Sequence, residues 1–193
     1  MKPEIDKAYA HSKALTDIVQ GINVPAGDSK LFPALFHLTV LEHFHSIIVL
    51  VEKKLPTSAS TLLRPLFESH VKGLWFSKYA TEKDIVKLKK DKFNPIFADL
   101  VDELDPEGEW LLRHKKDYWS VLNSLTHTGA AQLGRKYVDG TVTNSHDKEF
   151  LKQVLYFSGN YASSSCCQIA LISGNKEMIE KSIDLASNNI FGL

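Results

Sequence analysis

The stretch LFPALFHLTVLEHFHSIIVLV, residues 31–51, is the most apolar part of the chain and decides the fold. Its apolar residues fall on almost every side of a helix. A helix that is apolar nearly all round is buried at the centre of a protein. Because Glu42 and three histidines interrupt the run, it does not have the composition of a membrane span. The sequence therefore predicts a central core helix over residues 29–54, with no membrane as a partner.

Helical spacing of apolar residues continues on both sides of this segment and predicts a chain of helices. They are expected at residues 3–20, 29–54, 57–80, 81–92, 93–103, 107–131, 146–173 and 175–190. The third should begin at a cap from Thr57 or Ser58. It should kink at Pro65, because the proline ring removes the hydrogen bond to the carbonyl of Thr61 and disfavours helical geometry at Arg64.

One short segment has strand character. Tyr137-Val138 and the β-branched residues 141–143 flank Asp139-Gly140, the dipeptide typical of a type I′ turn. The sequence thus allows at most one small hairpin. The predicted fold class is all-α: a helical bundle of about six to eight helices with a kinked third helix, in a single domain spanning residues 1–193.

Charge and cysteine usage narrow the classes of function. Lys plus Arg and Asp plus Glu both number 23 in this chain of 193 residues, so no net charge draws it to nucleic acid or to an anionic membrane. Any such binding needs a local patch. The N-terminus lacks the apolar run of a signal peptide, and we expect a cytoplasmic protein.

The adjacent Cys166 and Cys167 are expected to be packed where two helices approach closely, with a redox pair as the alternative.

The first candidate motif is LLRPLFESHVKGLWF, residues 62–76. Arg64, Glu68 and Lys72 are four apart and follow the edge of an apolar arc, and Trp75 lies on the same flank. An exposed Arg–Glu pair at this spacing adds only ~0.2–0.5 kcal/mol to helix stability. Alternatively, Glu68 holds the planar fork of Arg64 ready for a carboxylate or phosphate.

The second candidate motif is LNSLTHTG, residues 122–129. Trp119, Asn123 and His127 are spaced by four and line one strip of the predicted helix. Histidine exchanges a proton near neutrality, and an amide one turn away can fix its tautomer or hold a substrate oxygen. The alternative is a buried histidine that an asparagine hydrogen-bonds between two helices.

The segments SASTLLRPLFESHVKGLWF and LNSLTHTGAAQLGR resemble an uncharacterised bacterial family of helical proteins of unknown function, over roughly residues 30–140. That family in turn resembles the HEPN superfamily, whose helical bundles include ribonuclease toxins and phage-defence nucleases that usually act as dimers. Their motif is Arg, a polar residue, a few variable residues and His. Asn123 and His127 match it, but Leu122 occupies the arginine position. Either another arginine, for which Arg64 is the candidate, completes the site in space, or the resemblance is to a non-catalytic branch.

The resemblance implies an RNA endonuclease with a defence or toxin-antitoxin role, no metal and no cofactor. His127 would take the proton of a ribose 2′-hydroxyl. Arg64, held in place by Glu68, would neutralise the charge that develops on the phosphate. Asn123 would orient either His127 or Arg64. Lys72, Trp75 and Trp119 are the candidate substrate-binding residues. Further lysines and one arginine are candidates for holding an RNA backbone: residues 87–92, or Arg113, Lys115 and Lys116.

Two other functions fit the same residues. A non-catalytic α-helical homodimer would bind a protein partner or small ligand and bury the charged stripe at its interface; net neutrality and Leu122 favour it. A metal site is suggested by Glu42 and His45, whose i, i+3 spacing is used by di-iron bundles, but the chain has no second Glu-x-x-His. The geometric test of the ribonuclease hypothesis is whether Arg64 and His127 meet in an open cleft, within one chain or across a dimer.

Overall fold

The computed structural model describes residues 1–143 and 147–188, and most of them are helical. The α-helices are Lys2–Val19 (α1), Asp28–Glu52 (α2), Pro56–Thr61 (α3), Leu63–Lys78 (α4), Glu82–Lys89 (α5), Phe97–Leu104 (α6), Leu111–Thr126 (α7), Ala130–Leu133 (α8), Lys148–Ser173 (α9) and Lys176–Ser187 (α10). A 3-10 turn, Gly134–Lys136, leads into strands Tyr137–Val138 (β1) and Thr141–Val142 (β2). The predicted all-α bundle is confirmed.

Helix α2 lies at the centre, packed mainly against α4 and α9 and flanked by α1 and α3. Phe44, Ile47 and Ile48 have no solvent exposure. Burial of each such side chain contributes about 1.5–3 kcal/mol before the entropy of ordering is subtracted. By length and composition alone α2 could cross a membrane, and it is the one helix of the described part of the chain that meets this test. It serves here as the core helix that its sequence predicts.

Helix α9 packs closely on α2 because its buried face is built from small residues. Ala162, Ser163, Ser165 and Cys166 are all buried. Both cysteines have free thiols, and burial raises the pKa of Cys166 to about 12. Cys166 is therefore a packing residue, as expected.

The predicted third helix is two helices, which corrects the expected kink. The break lies at Leu62, one turn before Pro65, so the proline is the third residue of α4 and its missing N–H falls where a helix has no internal partner. The predicted caps are also wrong, because Pro56 opens α3 after Leu55, without a side-chain cap. A proline at the first helical position has the required φ already.

The predicted helix over residues 107–131 is likewise shorter. Asp105 holds the preceding turn: its carboxylate accepts hydrogen bonds from the backbone amides of Glu109 (3.0 Å), Trp110 (2.9 Å) and Leu112 (3.0 Å). Helix α7 consequently begins at Leu111. It ends at Thr126, and α8 follows separately.

The other predicted boundaries agree with the structure to within a few residues. The segment before α6 is the exception, because residues 93–96 contain Pro95 and are not helical. At the hairpin, Asp139 and Gly140 have φ of 49° and 82°, as a type I′ turn requires. The predicted first residue of α9, residue 146, and the predicted last residue of α10, residue 190, lie outside the described residues.

Candidate active site

The break before α4 places Arg64 beside the end of α7. Pro65 cannot donate to the carbonyl of Thr61, and the Thr126 hydroxyl lies 3.5 Å from this carbonyl while it donates to the Leu122 carbonyl at 2.9 Å. The Thr61 hydroxyl, which donates to the Thr57 carbonyl at 3.0 Å, lies 3.3 Å from the Leu125 carbonyl. The end of α3, immediately before α4, thus lies against the last turn of α7.

Gln132 strengthens this junction from a third element. Its side-chain amide is buried and donates to the Leu125 carbonyl (2.7 Å) and to the Thr61 hydroxyl (3.2 Å). The first of these bonds satisfies a carbonyl group that the end of α7 leaves without a partner in the helix. Helices α3, α7 and α8 thus share one polar junction, one residue away from His127.

His127 is the first residue after α7 and is exposed. Its backbone amide still donates to the Asn123 carbonyl at 2.9 Å, which fixes its position. The chain then turns sharply, since a Cβ on Gly129 would lie 2.5 Å from the Ser124 hydroxyl and 3.0 Å from the Ser124 Cα. The Ser124 hydroxyl also accepts from the Ala131 amide at 2.9 Å. This close turn holds the imidazole at the helix end.

Arg64 and His127, 63 residues apart, are in contact within a single chain. The Nη1 group of Arg64 donates to Nε2 of His127. Because a guanidinium can only donate, Nε2 of His127 is the acceptor in this contact, which requires the tautomer with its proton on Nδ1. On its other side, Nε of Arg64 donates to the Glu68 carboxylate at 2.8 Å, and both side chains are only about a quarter exposed (23% and 25%).

Trp119 of α7 supports the guanidinium of Arg64. The Cζ of Arg64 lies 5.0 Å from the centroid of the indole, within the range of a cation–π interaction. Phe97 stacks on the same indole, with centroids 4.2 Å apart and planes 6° apart. A base stacking on Trp119 would therefore compete with Phe97 or Arg64 for the ring.

A cleft of about 400 Å³ opens beside Arg64, between α4, α7 and the segment before α6. We call it the Arg64 cleft. Its lining residues are Arg64, Glu68, Lys72, Phe93, Asn94, Pro95, Ile96, Phe97, Ala98, Leu100, Lys115 and Trp119. It is within the size range of small-molecule sites. Three cations thus line the cleft against one carboxylate, although the whole chain is neutral.

A family model described as "Family of unknown function (DUF6988)" matches residues 37–189, well over half of the chain. The chain belongs to this family. The expectation of an uncharacterised family is confirmed. No curated protein and no solved structure gives a significant match. The DUF6988 match includes both Arg64 and His127.

Three candidate residues of this DUF6988 protein, Trp75, Asn123 and His127, lie outside the lining of the cleft. Trp75 donates from Nε1 to the Glu103 carboxylate at 2.5 Å and packs on Phe93, behind the cleft wall. Asn123 is half-buried, and its Oδ1 is buried without a hydrogen-bond partner among the described residues. The structure thus places Arg64, Glu68, Lys72 and Trp119 together at the cleft and His127 against Arg64.

The sequence did not indicate a polar network that joins histidines of three helices to α9. The Ser165 hydroxyl lies between Nδ1 of His70 (2.8 Å) and Nδ1 of His37 (3.1 Å), and the Ser163 hydroxyl lies 2.7 Å from Nε2 of His11. All three histidines have no solvent exposure. Because burial disfavours the charged imidazolium, it lowers the pKa of His11 to about 4, that of His37 to about 3 and that of His70 well below its ordinary value.

The metal site suggested by Glu42 and His45 gains no further ligands. Nδ1 of His45 lies 3.3 Å from the Ser12 hydroxyl, and Glu42 is exposed. Across residues 1–143 and 147–188, no three His, Cys, Asp or Glu side chains are grouped as a metal would need. The Arg64 cleft, with His127 beside it, is therefore the candidate site.

Proposed function

We propose that this DUF6988 protein is a metal-independent ribonuclease, distantly similar to the HEPN superfamily, in which Arg64 and His127 act together. The contact between the Arg64 guanidinium and the His127 imidazole is the observation that supports it most directly. It supplies a cation beside the histidine of the LNSLTHTG motif, where Leu122 replaces the expected arginine.

The position of Leu122 explains why another residue must supply the arginine. Leu122 is 3% exposed and belongs to the hydrophobic core. An arginine there would have to be buried, which is costly without a paired charge. Arg64 instead reaches the same histidine from α4, with Glu68 and Trp119 fixing its orientation.

The proposed reaction begins when a substrate phosphate attracts the Arg64 fork. Arginine binds phosphate in a bidentate manner, so the phosphate competes with Nε2 of His127 for the Nη1 donor. Nε2 is then free to take the proton from a ribose 2′-hydroxyl, whose oxygen attacks the adjacent phosphorus. The 5′-oxygen leaves and takes the proton back from the imidazolium, and the product ends in a 2′,3′-cyclic phosphate.

The roles of the neighbouring residues follow from their contacts. Glu68 keeps the guanidinium at the mouth of the cleft, and Trp119 supports it from α7. Asn123 meets His127 through its backbone carbonyl, and its side-chain amide, whose Oδ1 has no partner among the described residues, would orient the imidazole in the complex with substrate. Single-stranded RNA fits best, because its phosphates and bases are accessible to a small cleft. We also propose a cytoplasmic protein with a defence or toxin-antitoxin role.

The test is cleavage of labelled single-stranded RNA by purified protein in excess EDTA, with analysis of the product ends. We expect cleavage that leaves 2′,3′-cyclic phosphates and that falls by at least about 100-fold in His127→Ala and in Arg64→Ala. His45→Ala is the matched control, because His45 is exposed and lies on α2. Far-UV circular dichroism checks that each variant is folded. A wild type that cleaves none of several RNAs would contradict the proposal.

A non-catalytic α-helical homodimer that binds a protein partner is the second candidate. One observation favours it: Arg64 is already engaged by Glu68, His127 and Trp119, as a purely structural arginine would be. In that case Arg64→Ala lowers the melting temperature or weakens association, with no turnover to lose. Sedimentation velocity and thermal unfolding of the same variants separate the two candidates.

A further inference from the structure

We infer that the Arg64 cleft is a nucleotide subsite, which holds one phosphate through Lys72 and Lys115 and the attached nucleoside against the segment before α6. The inference rests on the proposed function for its choice of RNA as the natural source of the nucleotide. It goes further in naming residues outside the Arg64–His127 pair that select the ligand.

The charge of the cleft favours a phosphate. Arg64, Lys72 and Lys115 line it, and Glu68 is the one acidic residue in the lining. Lys72 makes no ion pair or hydrogen bond among the described residues. Lys115 is 3.5 Å from Asp102, whose side chain is more than half exposed and lies outside the cleft. The lining residues therefore carry a formal charge of +2. Asp102 offsets part of this charge from outside the cleft, and Lys72 has no acidic partner among the described residues.

The opposite wall favours a flat apolar group beside that phosphate. Ile96 is 68% exposed although it is a large hydrophobic residue, and it lies in the cleft lining with Phe93 and Pro95. The exposed side chain of Asn94, in the same wall, offers both a donor and an acceptor. A nucleoside has an apolar face for Ile96 and a polar base edge for Asn94, whereas inorganic phosphate has neither.

The start of α6 adds to the attraction for an anion. Ile96 is the residue before the helix and gives no side-chain cap, and the first two helical residues, Phe97 and Ala98, line the cleft. The first amides of a helix lack internal acceptors and favour a negative charge. This contribution comes in addition to the two lysines.

The test measures binding separately from cleavage. The probes are fluorescein-labelled hexameric RNA, titrated into His127→Ala protein and followed by anisotropy, and the free nucleoside 5′-monophosphates, titrated calorimetrically. In the same background, Lys72→Gln/Lys115→Gln should weaken RNA binding by at least about tenfold. It should also reduce the slope of log K against log salt by about 0.7, the value for the loss of one phosphate contact to a single strand.

The matched control is Lys2→Gln/Lys7→Gln, which removes two exposed lysines from α1, a helix that packs on α2, α9 and α10, away from the cleft. This control should bind like the parent protein. Asn94→Ala should change the preference among the four nucleotides and leave the salt slope unchanged. Equal binding by the two lysine double variants, or no binding of either probe by the parent, would overturn the inference.

The two probes distinguish the sources of the phosphate. Binding of monophosphates as tight as that of RNA identifies a free-nucleotide site, and much tighter RNA binding identifies a subsite for the polymer; both support a nucleotide ligand. Failure of the proposed function is separately visible. If the wild type never cleaves RNA but binding still depends on Lys72 and Lys115, the subsite stands. If the wild type cleaves RNA and the lysine double variant has the same KM and kcat, the nucleotide subsite is refuted and the ribonuclease proposal is not.

Discussion

Acidification should destabilise this protein through its buried histidines, well above the pH at which carboxylates titrate. The folded-state pKa of His11 is about 4 and that of His37 about 3, against an ordinary value of 6.5. The unfolded chain therefore binds these protons first. Stability is complete above pH 6.5 and falls as the pH drops from 6.5 towards each folded-state pKa.

The size of the effect follows from the linkage relation. Each pH unit below 6.5 costs about 1.4 kcal/mol per buried neutral histidine. At pH 5.0, His11 and His37 together should cost about 4 kcal/mol, and His70, whose pKa is lowered in the same direction, should add to the loss. That is a large part of the 5–15 kcal/mol that stabilises a typical domain.

The assay is urea unfolding at pH 7.5, 6.5, 5.5 and 5.0, followed by far-UV circular dichroism. The matched variant is His11→Gln/His37→Asn/His70→Asn, because these amides reach the positions of the ring nitrogens that meet Ser163 and Ser165. It should be less stable at pH 7.5, and its slope with pH should be much flatter.

If the triple variant does not fold, each single variant should still remove part of the slope. A wild type that loses less than about 1 kcal/mol between pH 7.5 and 5.0, or variants that keep its full slope, would refute the reasoning.

Two further substitutions test the packing around the site. Gly73→Ala should destabilise the protein by about 1–3 kcal/mol, because the added Cβ would lie 2.7 Å from the buried His37 ring. The cost of this overpacking exceeds the ~0.5–1 kcal/mol by which alanine stabilises a helix relative to glycine. Urea unfolding measures it, with Gly134→Ala as a near-neutral control, since no atom lies within 4 Å of that Cβ. Gln132→Leu should destabilise the protein by about 1–3 kcal/mol, because it removes both side-chain hydrogen bonds that Gln132 makes in the junction. It should also slow RNA cleavage by displacing His127 from Arg64. The control, Gln153→Leu at an exposed position, should change neither stability nor cleavage.

The sequence predicted the features that depend on local pattern. Residues 31–51 indicated the core helix through their all-round apolarity, and Asp139-Gly140 indicated the hairpin turn. The spacing of Glu68 from Arg64 predicted their pairing, because residues four apart on a helix are neighbours.

The features that depend on tertiary contacts were not predictable in the same way. The break at Leu62 lies where the Thr61 carbonyl, to which Pro65 cannot donate, faces the Thr126 hydroxyl of α7. Gln132 had no signal of its own, since its two acceptors are distant in sequence or belong to the backbone. Nothing local to Ser163 and Ser165 showed that they meet histidines of α1, α2 and α4.

The most direct test of the central claim is the tautomer of His127, measured by long-range ¹H–¹⁵N NMR at pH 7.5. Donation by Arg64 to Nε2 predicts a neutral ring with its proton on Nδ1, the form less favoured by free histidine, and Arg64→Ala should return the ring to the Nε2–H form. A wild-type ring already protonated at Nε2, or a spectrum that Arg64→Ala leaves unchanged, would contradict the paired site.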